Sequence, residues 1–261
     1  MWLLLSLLVV TSDNTKLELT NVRTTYGVMG AERADEKILP GDQVVLSFDI
    51  LGASVGDNGK IQYSIAMEVA NSQGKVLFKQ APRDLEAPAP TGSKALPACA
   101  ALDVGTAQPP GEYTVKVAVK DRTSGATQSI ARTYQLLPKG FGLVRYSTTR
   151  DPDGRLPVAT LVSGRPGWIN FSAVGFERDP QSGQPNVAVQ MQVLNPDGQD
   201  LLKPVFGQVR ENIPKGAIAL PMQFEVALPF AGDCTVVLTA TDKISGQTAV
   251  LKVPLSVAAQ N

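Results

Sequence analysis

The sequence predicts an all-β protein: two antiparallel β-sandwiches in tandem, related by an internal repeat. Three observations carry that prediction. Residues 111–127, GEYTVKVAVKDRTSGAT, return as residues 232–248, GDCTVVLTATDKISGQT. In both copies apolar side chains fall at every second position, Tyr113, Val115, Val117 and Val119 in one and Cys234, Val236, Leu238 and Ala240 in the other. That is the period of a half-buried strand. No stretch carries a helical period, and Gly (23) and Pro (19) are plentiful, as many short strands joined by many turns require.

Taken in order, residues 1–16 read as a leader. Residues 1–10, MWLLLSLLVV, are apolar over a run too short to span a bilayer as a helix, which needs about 20 residues. They match the apolar region of a secretory signal, with small residues around Val10, Thr11 and Ser12 for cleavage. No Lys or Arg precedes the run, which fits a true start upstream of Met1; the other reading is a buried first strand.

Residues 17–138 form the first sandwich and residues 139–261 the second. In the first, residues 17–22 alternate and open it as a strand, and residues 27–40 read as a loop or irregular edge. Residues 43–51 are a strand whose inward face is either Val44 and Leu46 or Val45, with Phe48 as a further core candidate. Ile61, Tyr63, Ile65, Met67 and Val69 alternate along a long strand that turns at residues 71–74 into residues 75–78. Proline lacks the ladder donor, so prolines 82, 88, 90 and 97 make residues 81–97 a connecting loop. A weaker strand follows over residues 96–104, then the repeated hairpin, whose Asp-x-x-Ser-Gly turn uses glycine to reverse the chain. About seven strands per copy result. The linker at residues 138–140 is short, so the sandwiches should sit end to end with limited freedom.

The two copies overlay almost without gaps. Leu19 and Thr25 match Leu143 and Thr149, Phe48 matches Phe171, and Gly52 matches Gly175. Met67 and Val69 match Met191 and Val193, the turn 71–74 matches 195–198, and Ala95, Leu96 and Pro97 match Ala219, Leu220 and Pro221. Turns meeting turns and inward residues meeting inward residues is what a duplicated fold demands.

On the stretch Pro110-Gly-Glu-Tyr-Thr-Val-x-Val-x-Val-x-Asp121 the chain resembles the penultimate strand of immunoglobulin-like and fibronectin-type-III-like domains of bacterial envelope proteins. The resemblance implies that Tyr113 is the corner tyrosine and that Val115 stands where antibody domains carry a cysteine. The second copy departs, with Cys234 in the tyrosine's place. The resemblance covers both halves and implies a tandem pair of immunoglobulin-like sandwiches, a fold rather than an activity.

Composition narrows the chemistry. Lys plus Arg and Asp plus Glu are 24 each, with no charged block, which argues against nucleic acid or an anionic membrane as partner. There is no histidine, which removes His-activated serine or cysteine nucleophiles and the common zinc sites. Residues 52–56, GASVG, match the pattern of a hydrolase nucleophile elbow. Ser54 has neither the following helix nor the histidine that such an elbow needs, and reads as loop. Asp151 and Asp153 are the calcium candidates, set against Pro-Asp-Gly as a turn in its own right. Cys99 and Cys234 sit in different copies on inward positions and read as buried thiols rather than a disulfide. Trp168 lies on a strand and reads as core, and the Asn170 sequon inside the same strand reads as accidental.

The expectation is therefore an exported, non-enzymatic protein with no cofactor, acting as a structural spacer or a protein-binding or adhesion module at the cell envelope. Its partner would be another envelope or extracellular protein, and the mature chain would carry no membrane span. Specificity would lie in loops, with residues 52–59 and 81–97 and their equivalents 175–183 and 205–221 as candidates. One alternative is a carbohydrate-binding accessory module, which aromatics at 6% disfavour. The other is a carboxylate-based hydrolase, for which no Asp or Glu stands out. The partner's identity and the oligomeric state are not legible in the residues.

Overall fold

The structure, a computed structural model, describes residues 16–91 and 95–260. The leader up to residue 15 lies outside the described residues. The first half contains β1 (Glu18–Thr25), β2 (Lys37–Ile38), β3 (Gln43–Leu51), β4 (Lys60–Asn71), β5 (Val76–Pro88), β6 (Ala95–Asp103), β7 (Gly111–Asp121) and β8 (Thr127–Leu136). They form two sheets, ordered β1-β3-β6 and β2-β8-β7-β4-β5. The second half contains β9 (Gly142–Thr149), β10 (Thr160–Val162), β11 (Pro166–Val174), β12 (Val187–Leu194), β13 (Val205–Val209), β14 (Ala219–Ala227), β15 (Gly232–Asp242) and β16 (Thr248–Ala258). Its sheets, β9-β11-β14 and β10-β16-β15-β12-β13, repeat that order strand for strand. The described residues contain no helix, so the all-β, two-part expectation holds.

Alternation places the cores. Val44, Leu46, Phe48 and Ile50 of β3 meet Ile61 to Val69 of β4 and Val115, Val117 and Val119 of β7 in the first core. Ile169, Phe171, Met191, Val236 and Leu238 hold the corresponding places in the second. The ambiguity on β3 resolves toward Val44 and Leu46; Val45, facing away from that core, is nonetheless buried.

Three expectations need correction. Residues 81–97 are not a loop: β5 runs unbroken to Pro88 and β6 begins at Ala95. The prolines fit because both strands are sheet edges, where a missing donor on the outer side costs no ladder bond. Pro82 also falls at a shift of register between Met67↔Gln80 and Ile65↔Arg83, so it sits in a bulge. Among the described residues each half has eight strands rather than about seven, and β2 and β10 pair parallel with β8 and β16. At two and three residues they are too short to show a period. Finally, Trp168 is not core: Ile169 and Phe171 point inward, so Trp168 points out and is only half-buried, between Thr149 and Glu225.

The corner tyrosine is present. The Tyr113 hydroxyl donates to the Pro109 carbonyl at 2.8 Å. In the second half Cys234 instead places its thiol 3.4 Å from the Leu255 carbonyl. Tyr113→Phe should remove one hydrogen bond and leave the ring packed, lowering stability by about 1 kcal/mol. A thermal melt reads this as a fall of a few degrees confined to the first half.

Candidate functional site

The repeated turn is a carboxylate clamp. Asp121, buried, accepts from the backbone of Thr123 at 2.8 Å and from the Ser124 hydroxyl at 2.6 Å. It also accepts from the backbone N–H of Ser54 at 2.9 Å. Asp242 does the same with Ile244, Ser245 and the N–H of Glu177. Each clamp thus ties its hairpin to the loop that follows β3 or β11, and the GASVG run is held through its backbone as one side of this clamp. Asp179 makes a third Asp-x-x-Ser-Gly turn, with Ser182 donating through both backbone and hydroxyl.

Burial alone would raise the pKa of Asp121 and Asp242. The hydrogen bonds from Ser124 and Ser54, and from Glu177 and Ser245, outweigh it and hold both below the ordinary carboxylate range. A carboxylate depressed on folding contributes stability above its unfolded pKa of about 3.9, lost as pH falls through the lower folded value. Melting temperature should therefore drop as pH falls below about 4. An Asp121→Asn, Asp242→Asn double variant should start lower at neutral pH and change less across that window; a parallel profile would remove the clamps from the acid response.

The other sequence candidates are occupied locally. Asp151 accepts from the backbone of Arg155 at 3.0 Å and of Leu156 at 2.6 Å, and Asp153 lies 3.6 Å from Arg155. No cluster of three or more potential metal ligands occurs among the described residues. Cys99 and Cys234 are free thiols, the first half-buried and the second buried, with burial pushing Cys234 up to about 11. The Asn170 amide donates to Thr149 and its carbonyl accepts from Gln223, so it braces three adjacent strands.

Two features were not anticipated. The first is the junction between the halves. Asp42, at the start of β3, is buried and accepts from the Arg33 guanidinium at 2.8 Å, from the N–H of Gln43 at 2.8 Å, and from the N–H of Arg145 across the junction at 2.9 Å. Arg145 returns its side chain to the Gly41 carbonyl at 2.9 Å and to Asp103 at 2.8 Å. It can do both because it stands in a β9 bulge at φ 55, the counterpart of Asn21 in β1 at φ 52. Tyr26 meets Tyr146 edge to face at 5.8 Å, and Arg33 lies over the Tyr26 ring. Gly175 is indispensable here: at φ 67 its backbone lies against the Gly140 carbonyl of the linker, where a Cβ would collide.

The second is an apolar groove of about 560 Å³ in the first half. Val44, Met67, Val69, Leu102 and Val115 line it, and Leu77 and Phe78 of β5 stand at its rim, 46% and 45% exposed. The second half is closed at the matching place. Leu201 and Leu202, just before β13, pack on its core, and the Phe224 ring of β14 lies against Gly207 of β13. The first-half counterparts of Met222 and Phe224 follow from register: Phe48 and Leu46 face Ala98 and Ala100 where Phe171 and Ile169 face Met222 and Phe224. Neither alanine lines the groove, whose β6 wall is Ala101, Leu102 and Asp103.

No family model matches the chain, and no curated protein matches it. Among solved structures, it is similar to dimeric latent PorU from Porphyromonas gingivalis at 11% identity and a TM-score of 0.42, over 97% of this chain and 21% of that one. It is similar to the fibronectin(III)-like modules of CbhA from Clostridium thermocellum at 14% identity and a TM-score of 0.26, over 91% and 94% of the two chains. A third, the DNA glycosylase AlkC from Pseudomonas fluorescens bound to DNA, covers 47% of this chain and 31% of that one at 16% identity and a TM-score of 0.29. The chain spans about a fifth of PorU. No TM-score here reaches 0.5, and the fold stands on the chain's own strand pairing.

Proposed function

We propose that the chain is an exported, non-enzymatic module of the cell envelope, a stiff spacer of two immunoglobulin-like sandwiches that also binds a protein partner. The pinned junction is the observation that carries this reading. A chain selected only to hold two independent folds needs no buried carboxylate shared between them, and Asp42 with Arg145 supplies one. Fixing the angle between modules is what a spacer requires, since relative motion is otherwise the default across a small interface. The apolar leader supports export, and no helix among the described residues is long and apolar enough to cross a membrane.

The test is crosslinking in the native host, followed by affinity purification, mass spectrometry and determination of the chain's first residue. The expected result is a chain beginning near residue 13 with an envelope protein in stoichiometric amount. Recovery of the uncleaved chain alone from the cytosol would overturn the reading.

A further inference from the structure

We infer that the outer face of the second half carries a binding groove for an acidic sugar, with Phe206 against the ring and Lys243 on its carboxylate. The groove holds about 500 Å³, within the roughly 300–1,000 Å³ of clefts that take small ligands. Phe206 and Gln208 of β13 line one side, Ala188 and Gln190 of β12 the floor, and Thr239 and Thr241 of β15 the other side, with Lys243 just beyond β15. Cross-strand partners share a face, and these residues fall in two rows: Phe206, Gln190 and Thr239 in one, Gln208, Ala188 and Thr241 in the next. Val189, Met191, Leu238 and Ala240, which alternate with them, fill the core, so both rows face outward.

The first half is the internal reference, because its matching face is closed by its own charges. There Arg122 pairs with Asp84 at 3.2 Å, and Lys79 with Glu68 at 2.6 Å. Overlaying the repeats puts Lys243 at the place of Arg122 and Gln192 at that of Glu68. Gln208 takes the place of Asp84, since it faces Ala188 as Asp84 faces Ser64. Its amide donates to Asn186 at 2.7 Å. The second half thus keeps the cation and lacks the acid. Lys243 has no ion pair among the described residues, and a ligand carboxylate supplies what Asp84 supplies in the first half.

The rest of the lining says what carries that carboxylate. Ala66, Ala118 and Lys120 of the first half become Gln190, Thr239 and Thr241, a floor without charge. Those three side chains make no hydrogen bond among the described residues, and each both donates and accepts, as a sugar hydroxyl does. The Phe206 ring is 72% exposed, and the negative face of an aromatic ring attracts the polarised C–H side of a sugar ring. The scarcity of aromatics argues against an extended stacking platform, which one sugar ring does not need. A peptide main chain finds no partner on this floor, because β12 and β15 are bonded along both edges and strand recognition runs through open ones. A nucleic acid brings a phosphate with every residue, and Lys243 alone is charged among the lining residues.

Calorimetric titration of the purified chain tests this, using oligogalacturonate, oligomannuronate and a glucuronate-containing oligosaccharide, each beside its carboxyl-reduced neutral form. At least one acidic oligosaccharide should bind, and its reduced form at least about tenfold more weakly, as expected when a hydrogen bond to a charged group is lost. Phe206→Ala should weaken both forms about tenfold or more. Lys243→Gln should bring the acidic form down to the level of the reduced one and leave the reduced one unchanged. Both side chains are exposed, so the variants should melt as the parent does. Lys252→Gln, on the same face but outside the groove, should change nothing at physiological salt. Absence of binding by all three acidic oligosaccharides overturns the proposal, as does equal binding of the acidic and reduced forms. So does an equal loss on Lys252→Gln and Lys243→Gln, which would make the attraction diffuse. Binding of hexa-aspartate or oligothymidylate that depends on Phe206, in place of sugar binding, overturns it in favour of a peptide or a nucleic acid. None of these results bears on export or the protein partner, which the crosslinking in cells decides separately.

Discussion

Val236→Asp should leave the second half unfolded at room temperature. Val236 is buried in the centre of β15, opposite Val193 of β12 and Val253 of β16, both buried as well. The substitution loses at least about 1.5 kcal/mol of apolar burial and puts a carboxylate where no donor is present to meet it. The combined cost exceeds about 4 kcal/mol, a large share of the roughly 5–15 kcal/mol that holds a domain together. Val115→Asp should do the same to the first half, since Val115 holds the equivalent inward place on β7. Lys116→Asp, one residue on, is the control. Lys116 is exposed on the outer face, opposite Glu68, whose carboxylate already has Lys79 as partner. The cost there should stay near 0.5 kcal/mol. Thermal melts of the three variants decide the matter: equal tolerance at positions 115 and 116 would sink the inward and outward assignment on which both cores rest.

That contrast also marks what could be read from residues alone. Which face of β4 or β7 is buried is a local property, written in every second side chain, and so Ile61 to Val69 and Tyr113 to Val119 were placed correctly. The repeated Asp-x-x-Ser-Gly was legible as a turn because glycine at positive φ is a local demand too, met at Gly125 and Gly246. Its second role was not: Asp121 reaches Ser54 from 67 residues away, a distance no turn rule spans. Pro82 misled because proline was weighed against an interior strand, whereas β5 is an edge and bulged there. Trp168 misled because the overlay set it opposite Val45, and the inward face of β3 was itself unresolved. The groove was not in view, because its lining comes from residues as far apart in sequence as Val44, Met67, Leu102 and Val115.

Asp42→Ala should be the most damaging single change at the junction. Breaking a buried ion pair by deleting one partner costs about 3–5 kcal/mol, because the remaining charge stays buried and unmatched. Arg33 would be in that position: its guanidinium is held between Asp42 and the Tyr26 ring, its Nη2 bonds to the Lys37 carbonyl, and its Nε has no hydrogen-bond partner among the described residues. The N–H groups of Gln43 and Arg145 would lose their acceptor at the same time. The double variant Arg33→Met, Asp42→Leu separates charge from geometry, since an apolar pair of similar bulk removes the stranded cation. It should recover much of the melting temperature but not the Asp42–Arg145 bond, because leucine accepts nothing from the Arg145 N–H, which leaves the Arg145 side chain on Gly41 and Asp103 as the polar tie across the junction. Small-angle scattering should then show a wider spread of angles between two intact halves. A double variant as stiff as the parent would place the rigidity in the Arg145 side-chain bonds to Gly41 and Asp103, the Tyr26–Tyr146 contact and the Gly140–Gly175 approach instead, and would take Asp42 out of the spacer mechanism.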